Sequence, residues 1–361
     1  MLAAFLLLSV VFLRAASNPH MEFKARGPFY MIPLDVGMPP QQVNVSLDTT
    51  GLLTFLYDDD AHCYGEQAGQ CYPHRGFSPK KSNTFKSLNT QEVFECPLGE
   101  ARGTRGTDVF TFGPYEMLDP PPTIGVADRV VTYLNRKIQT SGFISMYAPV
   151  EPLDSPEASH MQTLSAESQA AIVSLFTPRC GTEMHTVTIG KADDTNCESE
   201  WTDFQLVPDE KRRWVIQFDS ISWGPSIHRE NVQAILSTAA DYVVAPREEV
   251  ETMRRMMNAV VGDYHEAGLS ETARIDCSQR KNGPFIRFDA HGRSFYMRPS
   301  QYVKQYKTGV CILNVYPDGA ENRWTLPYMF FQGYCVRFDF GQKLVGFAFP
   351  KNFGSCSRTD K

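Results

Sequence analysis

The chain has 361 residues, 42% of them apolar and 21% charged, with a formal net charge of −6. That length exceeds a single core of ordinary size and predicts two lobes. The acidic balance argues against nucleic acid, which is held by clustered Lys and Arg; the basic runs Lys211-Arg212-Arg213 and Arg254-Arg255 read as solvated loop and helix faces.

Leu2 to Leu13 is an apolar run broken only by Ser9, too short to span a bilayer with margin. Ala15 and Ser17 supply the small residues of a cleavage site, so residues 1–17 are predicted to be a signal peptide and the mature chain to begin near Asn18, secreted or lumenal. No later segment is long and apolar enough for a membrane anchor. Phe29 to Val36 and Trp214 to Asp219 alternate in the manner of half-buried strands. Gly37-Met38-Pro39-Pro40 and Asp289-Ala290-His291-Gly292 read as turns, and Pro120-Pro121-Pro122 and Pro149 to Pro156 as loops. Helices are predicted to be few. One covers Ala166 to Leu175; another begins at Pro246 and carries Val250, Met253, Met257 and Val260 on its core face. A boundary at 200/201 divides the chain into lobes 18–200 and 201–361.

Nine cysteines suit an oxidising compartment and leave one over. Cys63 and Cys71 bracket a short polar loop, Cys277 and Cys311 flank strand-like runs, Cys335 and Cys356 are neighbours near the C-terminus, and Cys180 and Cys197 flank a predicted hairpin, which leaves Cys96. His62, Cys63, Cys71 and His74 have ligand chemistry but no Cys-x-x-Cys knuckle, so a disulfide is preferred to zinc. Asn44-Val45-Ser46 is an N-glycosylation sequon within a strand.

The most informative feature is a repeat with a defect. Val45-Ser46-Leu47 runs into Asp48-Thr49-Thr50, and Ala234-Ile235-Leu236 runs into Ser237-Thr238-Ala239. An apolar strand delivering a turn is used twice, but only the first turn carries a carboxylate.

Around these triplets the chain resembles the pepsin family of aspartic proteases. Gly37-Met38-Pro39-Pro40-Gln41-Gln42 leading to Asp48 looks like that family's entry hairpin, and Phe77 to Phe85 like its Phe-x-Pro-x-x-Ser-x-Thr-Phe stretch. Trp324-Thr325-Leu326, Phe330 to Asp339 and Val345 to Ala348 are similar to its C-terminal signature. The resemblance implies an all-β fold of two barrel-like lobes related by a pseudo-twofold axis, with a few short helices and a central cleft. It places Cys63–Cys71 and Cys277–Cys311 at family disulfides and implies no metal or cofactor. It also implies an aspartate from each lobe, the pair sharing a proton, and threonines Thr49 and Thr238 that cross-link the lobes beneath the site.

Departures from the pattern gather on the chemistry. The second Asp aligns with Ser237. The following Gly aligns with Thr50 and Ala239, where a Cβ is expected to crowd the site, and the supporting hydroxyl residue aligns with Gly51 and Ala240. The flap tyrosine aligns with Cys96 or Leu98, the tryptophan behind it with Phe55, and two buttressing apolar-Gly turns with Ile144-Ser145 and Leu326-Pro327, the latter followed by Tyr328. From Asn18 to Asp48 the first strands leave no room for a masking propeptide. The expectation is a secreted pseudoprotease that binds a peptide, a small apolar ligand or a protein in or near the cleft. The alternative is an active acid endopeptidase using Asp48 with Ser237 as donor. A serine hydrolase at Ser237 lacks a Gly-x-Ser-x-Gly elbow.

Overall fold

The computed structural model describes residues 20–26, 29–64, 76–96, 99–113, 115–117, 121–132, 140–152, 155, 158–178, 184–262, 271–317 and 323–351. The fold is an all-β, two-lobed one with a few short helices. The signal-peptide reading, the Cys63–Cys71 pairing and the flap positions Cys96 and Leu98 lie outside the described residues and side chains.

Each lobe contains the same five-strand unit. In the first, Thr123–Thr132 runs parallel to Phe55–Tyr64, which is antiparallel to Gly142–Ser145, which is parallel to Gln41–Asp48, which is antiparallel to Met31–Val36. In the second, Val315–Pro317, Val243–Ala245, Trp324–Leu326, Ile227–Leu236 and Val215–Trp223 follow the same order with the same directions. Gly142–Ser145, paired on both sides, is buried along its whole length, and the strand ends that approach the site, Val45 to Asp48 and Ala234 to Leu236, are buried as well. Asp48 ends one central strand, and Ser237 follows its counterpart.

A six-stranded antiparallel sheet joins the lobes. Its order is Met21–Arg26, Met184–Ile189, Ile172–Phe176, Cys335–Asp339, Leu344–Ala348, Thr202–Gln205, so each half of the chain gives three neighbouring strands. Trp214 adds a second tie. It packs edge-on against Phe338 and Phe340, and its indole N–H donates to the carbonyl of Met146 in the other lobe at 2.7 Å.

Several expectations are corrected. The helix placed at 166–175 is instead His160–Ala166, started by the Ser159 hydroxyl accepting from the Gln162 amide, and Ile172–Phe176 is a strand. Periodicity cannot separate a short, fully buried apolar strand from a helix. The helix after Pro246 spans Arg247–Met256 and buries Val250, Met253 and Met257, but Val260 lies beyond it in an exposed strand. Arg254 is buried, paired with Glu251 and Glu271, and is no solvated face.

Cys277–Cys311 forms as expected. Cys335, however, pairs with Cys197, with Cα atoms 5.9 Å apart, which excludes both Cys335–Cys356 and Cys180–Cys197. The cause is the joining sheet: Cys335 opens the strand that pairs with Ile172–Phe176, and Cys197 bridges to Pro350 beside it, burying both sulfurs against Phe176 and Ala348.

Candidate functional site

The two strand ends meet under a cleft. The Thr49 amide donates to the Thr238 hydroxyl at 3.2 Å, and the Thr238 amide donates to the Thr49 hydroxyl at 3.0 Å. Each hydroxyl then donates at 2.7 Å across the lobes, Thr49 to the Leu236 carbonyl and Thr238 to the Leu47 carbonyl. The four bonds are related by the same twofold operation as the strands. Both threonines are fully buried, so removing one hydroxyl leaves buried backbone groups unpaired. Thr238→Val is expected to lower unfolding stability by about 2–3 kcal/mol in a denaturant titration, and Thr238→Ser by less than about 1 kcal/mol.

Asp48 and Ser237, both buried, line one cleft of about 690 Å³. Their surroundings differ. Asp48 Oδ1 accepts the Thr50 amide at 2.8 Å and the Thr50 hydroxyl at 2.7 Å. Support for this carboxylate is therefore not lost, as the alignment of Gly51 implied; it has moved to Thr50, whose side chain was expected only to crowd the site. Gly51 has become the necessary small residue, since a Cβ there would stand 2.5 Å from Asp48 Oδ2. Burial pushes the Asp48 carboxyl above the usual range, partly offset by the bonds from Thr50 and the Gly51 amide. On the other side, the Ser237 hydroxyl accepts the Ala240 amide at 3.0 Å. Ala239 is fully buried in the cluster that holds Phe55 and Phe94, and these two rings stack at 5.3 Å. Phe94 belongs to the strand Lys86–Cys96, which lines the cleft, so Phe55 packs against that wall of the cleft.

A buried polar chain lies behind Asp48 and was not anticipated from sequence. Ser145 pairs with Asp48 in the parallel strand register. The Thr54 hydroxyl donates to the Ser145 hydroxyl at 3.1 Å, the Ser145 amide donates to Thr54 at 2.9 Å, and His160 Nδ1 meets the Thr54 hydroxyl. Serine at 145 thus has a bonding role where the family pattern has glycine. Burial lowers the His160 pKa to about 4. Nothing in the local sequence marked His160, an isolated histidine at a helix start.

The cleft walls are largely apolar, with Leu52, Leu53, Val93, Phe94, Tyr242 and Val244, and Lys211 and Arg213 at one side. Arg213 does not lie on a solvated loop. It grips Asp209 through Nε at 2.9 Å and Nη2 at 2.7 Å, and Arg323 adds a contact at 2.8 Å. Burial alone would raise the Asp209 pKa, but these guanidinium contacts hold it down at about 2. Asn44 is exposed in its strand, so its side chain is sterically open to a glycan. Among the described residues one carboxylate group, Asp58, Asp59 and Asp60, is close enough to hold a metal, and Lys81 occupies Asp59 at 2.6 Å.

Comparison with known proteins agrees with this geometry. The family model described as eukaryotic aspartyl protease matches residues 29–349. Aspartic protease 1 of Caenorhabditis elegans is 27% identical over 337 residues, covering 89% of this chain and 82% of its own. Chymosin of Callithrix jacchus is 23% identical over 319 residues, covering 87% and 78%. Aspartic protease 17 of Caenorhabditis elegans is 24% identical over 333 residues, covering 88% and 82%.

Proposed function

Starting from the premise that this chain belongs to the eukaryotic aspartyl protease family, we propose that it is a secreted member that has given up peptide hydrolysis and uses its cleft to hold an extended apolar peptide. The observation that carries this reading is the pair at the strand ends: Asp48 faces the cleft with Ser237, not a second carboxylate, in the twofold-related place. Hydrolysis by a carboxyl pair depends on one proton shared between like charges, with one group activating water and the other protonating or holding the substrate carbonyl oxygen. A serine hydroxyl does not ionise in the acid range and cannot share that proton. The hydroxyl of Ser237 already accepts an amide from its own turn, and Thr50 occupies one Asp48 oxygen with two donors. Both groups are tied into their own loops, an arrangement suited to holding the loops' shape.

Binding is favoured by the walls. Leu52 and Val93 are about half exposed at the cleft mouth, where a peptide would cover them. Secretion accords with two disulfides among the described residues and with the predicted leader, and no described helix is long and apolar enough to cross a membrane.

The test is retention. The full chain is mixed at neutral pH with a library of apolar peptides, separated by size exclusion, and the retained peptides are read by mass spectrometry. Retention that falls at least about tenfold in a Leu52→Asp/Val93→Asp variant is expected, since each change removes apolar contact and places a charge at the mouth. An empty wild-type cleft, or retention untouched by the double variant, contradicts the reading.

A further inference from the structure

A second cavity opens beside the hairpin of Ile286–Ala290 and Arg293–Met297 in the second lobe, against the joining sheet. Its volume is about 310 Å³, and among the described residues it shares no lining with the cleft. Four rings wall it: Phe285, Tyr296, Tyr334 and Phe349. Phe285 and Tyr296 meet edge to face at 6.3 Å, yet they remain 50% and 42% exposed. An entering ring would cover apolar area that these two leave in water, and aromatic pairing adds to the gain from area alone.

The walls are preformed. The Tyr334 hydroxyl accepts the Tyr296 amide at 2.6 Å and donates to the Tyr296 carbonyl at 3.3 Å, which fixes the Tyr334 ring against the hairpin. Phe349 follows the strand Leu344–Ala348, with its ring 6.0 Å from that of Tyr334. The Gly333 amide donates to the Thr177 carbonyl at 3.1 Å and the Gln332 amide to the Met329 carbonyl at 3.3 Å, so this stretch of backbone is held as well. Little ordering is therefore left for a ligand to impose, the condition under which small pockets bind measurably.

The polar group left for a ligand is uncharged. Gln332 commits its backbone to the fold, but among the described residues its carboxamide, which lines the cavity, has no hydrogen-bond partner. Arg298 also borders the cavity and is engaged in interactions of its own. A carboxamide presents a donor and an acceptor side by side. Its complement in that geometry is a second carboxamide, which returns an acceptor and a donor. A carboxylate offers acceptors alone, and it would shed its hydration for a single hydrogen bond.

We propose that this cavity is a binding site for small uncharged aromatic amides, the ring set among Phe285, Tyr296 and Phe349 and the amide paired with the Gln332 carboxamide. The site is independent of the cleft and stands whether or not the cleft holds peptides.

The experiment uses 4-fluorobenzamide as the probe, followed by fluorine NMR of the ligand titrated with the full chain. A Kd of about 1 mM or tighter is expected for a ligand of this size in a preformed pocket. 4-Fluorobenzoate, charged at neutral pH, should bind about fivefold more weakly or worse, because its carboxylate loses water without a matching partner. Gln332→Leu keeps a side chain of similar size and removes the pairing, and should weaken the amide about fivefold, the worth of one net hydrogen bond. Phe285→Ala, at an exposed position that the core does not depend on, should weaken it about fivefold or more. The proposal is overturned by absence of binding up to about 10 mM, by benzoate binding as tightly as the amide, or by an unchanged Kd in either variant.

Discussion

Acidification from pH 7 to about pH 4.5 is expected to cost the folded chain about 3 kcal/mol or more of unfolding stability, read as a falling denaturant midpoint. Two histidines, His185 buried and His160 partly so, dictate the sign. His160 and His185 have pKa values lowered to about 4, in each case chiefly by burial, from the ordinary 6.5. The unfolded chain takes up their protons as pH falls through about 6.5, whereas the folded chain resists until about 4, so stability is present above the first value and lost on the way to the second. Each shift corresponds to about 3 kcal/mol when fully expressed. The structural reason is visible at His185, whose Nε2 accepts the Met31 amide at 2.9 Å and must stay unprotonated to do so. At His160 the ring lies against Phe110 and Thr54. Asp48 acts in the opposite direction: its raised pKa means that the folded state prefers its neutral form, and acid relieves that burden. Below about pH 4 the protonation of Asp209, held at about 2, removes a further ion pair. His160→Gln/His185→Gln should flatten the profile between about pH 6.5 and 4. A profile equally steep in that variant contradicts the assignment. A fold least stable in acid is poorly placed for chemistry that needs acid, which links this stability argument to the proposed loss of hydrolysis.

Cys197→Ala/Cys335→Ala is expected to lower stability by about 3–5 kcal/mol. The bridge closes a loop with a sequence separation of 138 residues, long enough that most of the gain comes from restricting the unfolded chain. It also fastens the joining sheet at the seam where strands from the two halves of the chain pair, Phe176 opposite Cys335. Loss of the bridge should therefore promote separation of the halves, seen as earlier protease cutting in the segment after Cys197. A variant whose denaturant midpoint matches the unaltered chain would refute this role. Cys277→Ala/Cys311→Ala, which opens a span of only 34 residues, should cost less.

The repeat of strand and turn was legible because each copy is continuous in sequence: Leu47-Asp48-Thr49 and Leu236-Ser237-Thr238 each announce an apolar strand ending in a polar turn. The equivalent pairing of the two five-strand units follows from it. The joining sheet was hidden because its neighbours come from distant segments, 172–176 beside 335–339, and no local period encodes that pairing. The disulfide error has the same origin, since sequence proximity favoured Cys356 for Cys335 while the sheet brought Cys197. The substituted site was legible in what was lost but not in what replaced it. In sequence Thr50 reads as an intrusive Cβ, whereas its hydroxyl takes over support of Asp48, a compensation that depends on rotamer and turn geometry. Arg213, at the end of the run Lys211-Arg212-Arg213, reads as solvated in sequence because its acidic partner, Asp209, is recognisable only once the turn folds back.

The central claim is that Asp48 without a second carboxylate does not sustain hydrolysis, and the direct measurement is digestion of a diverse peptide library at about pH 3–5, where a shared-proton pair would work. No cleavage above that of an Asp48→Ala control is expected, because removing one member of a cooperative catalytic set commonly costs several orders of magnitude. Site-specific cleavage by the unaltered chain that disappears in Asp48→Ala would contradict the account and establish Asp48 with Ser237 as a working pair.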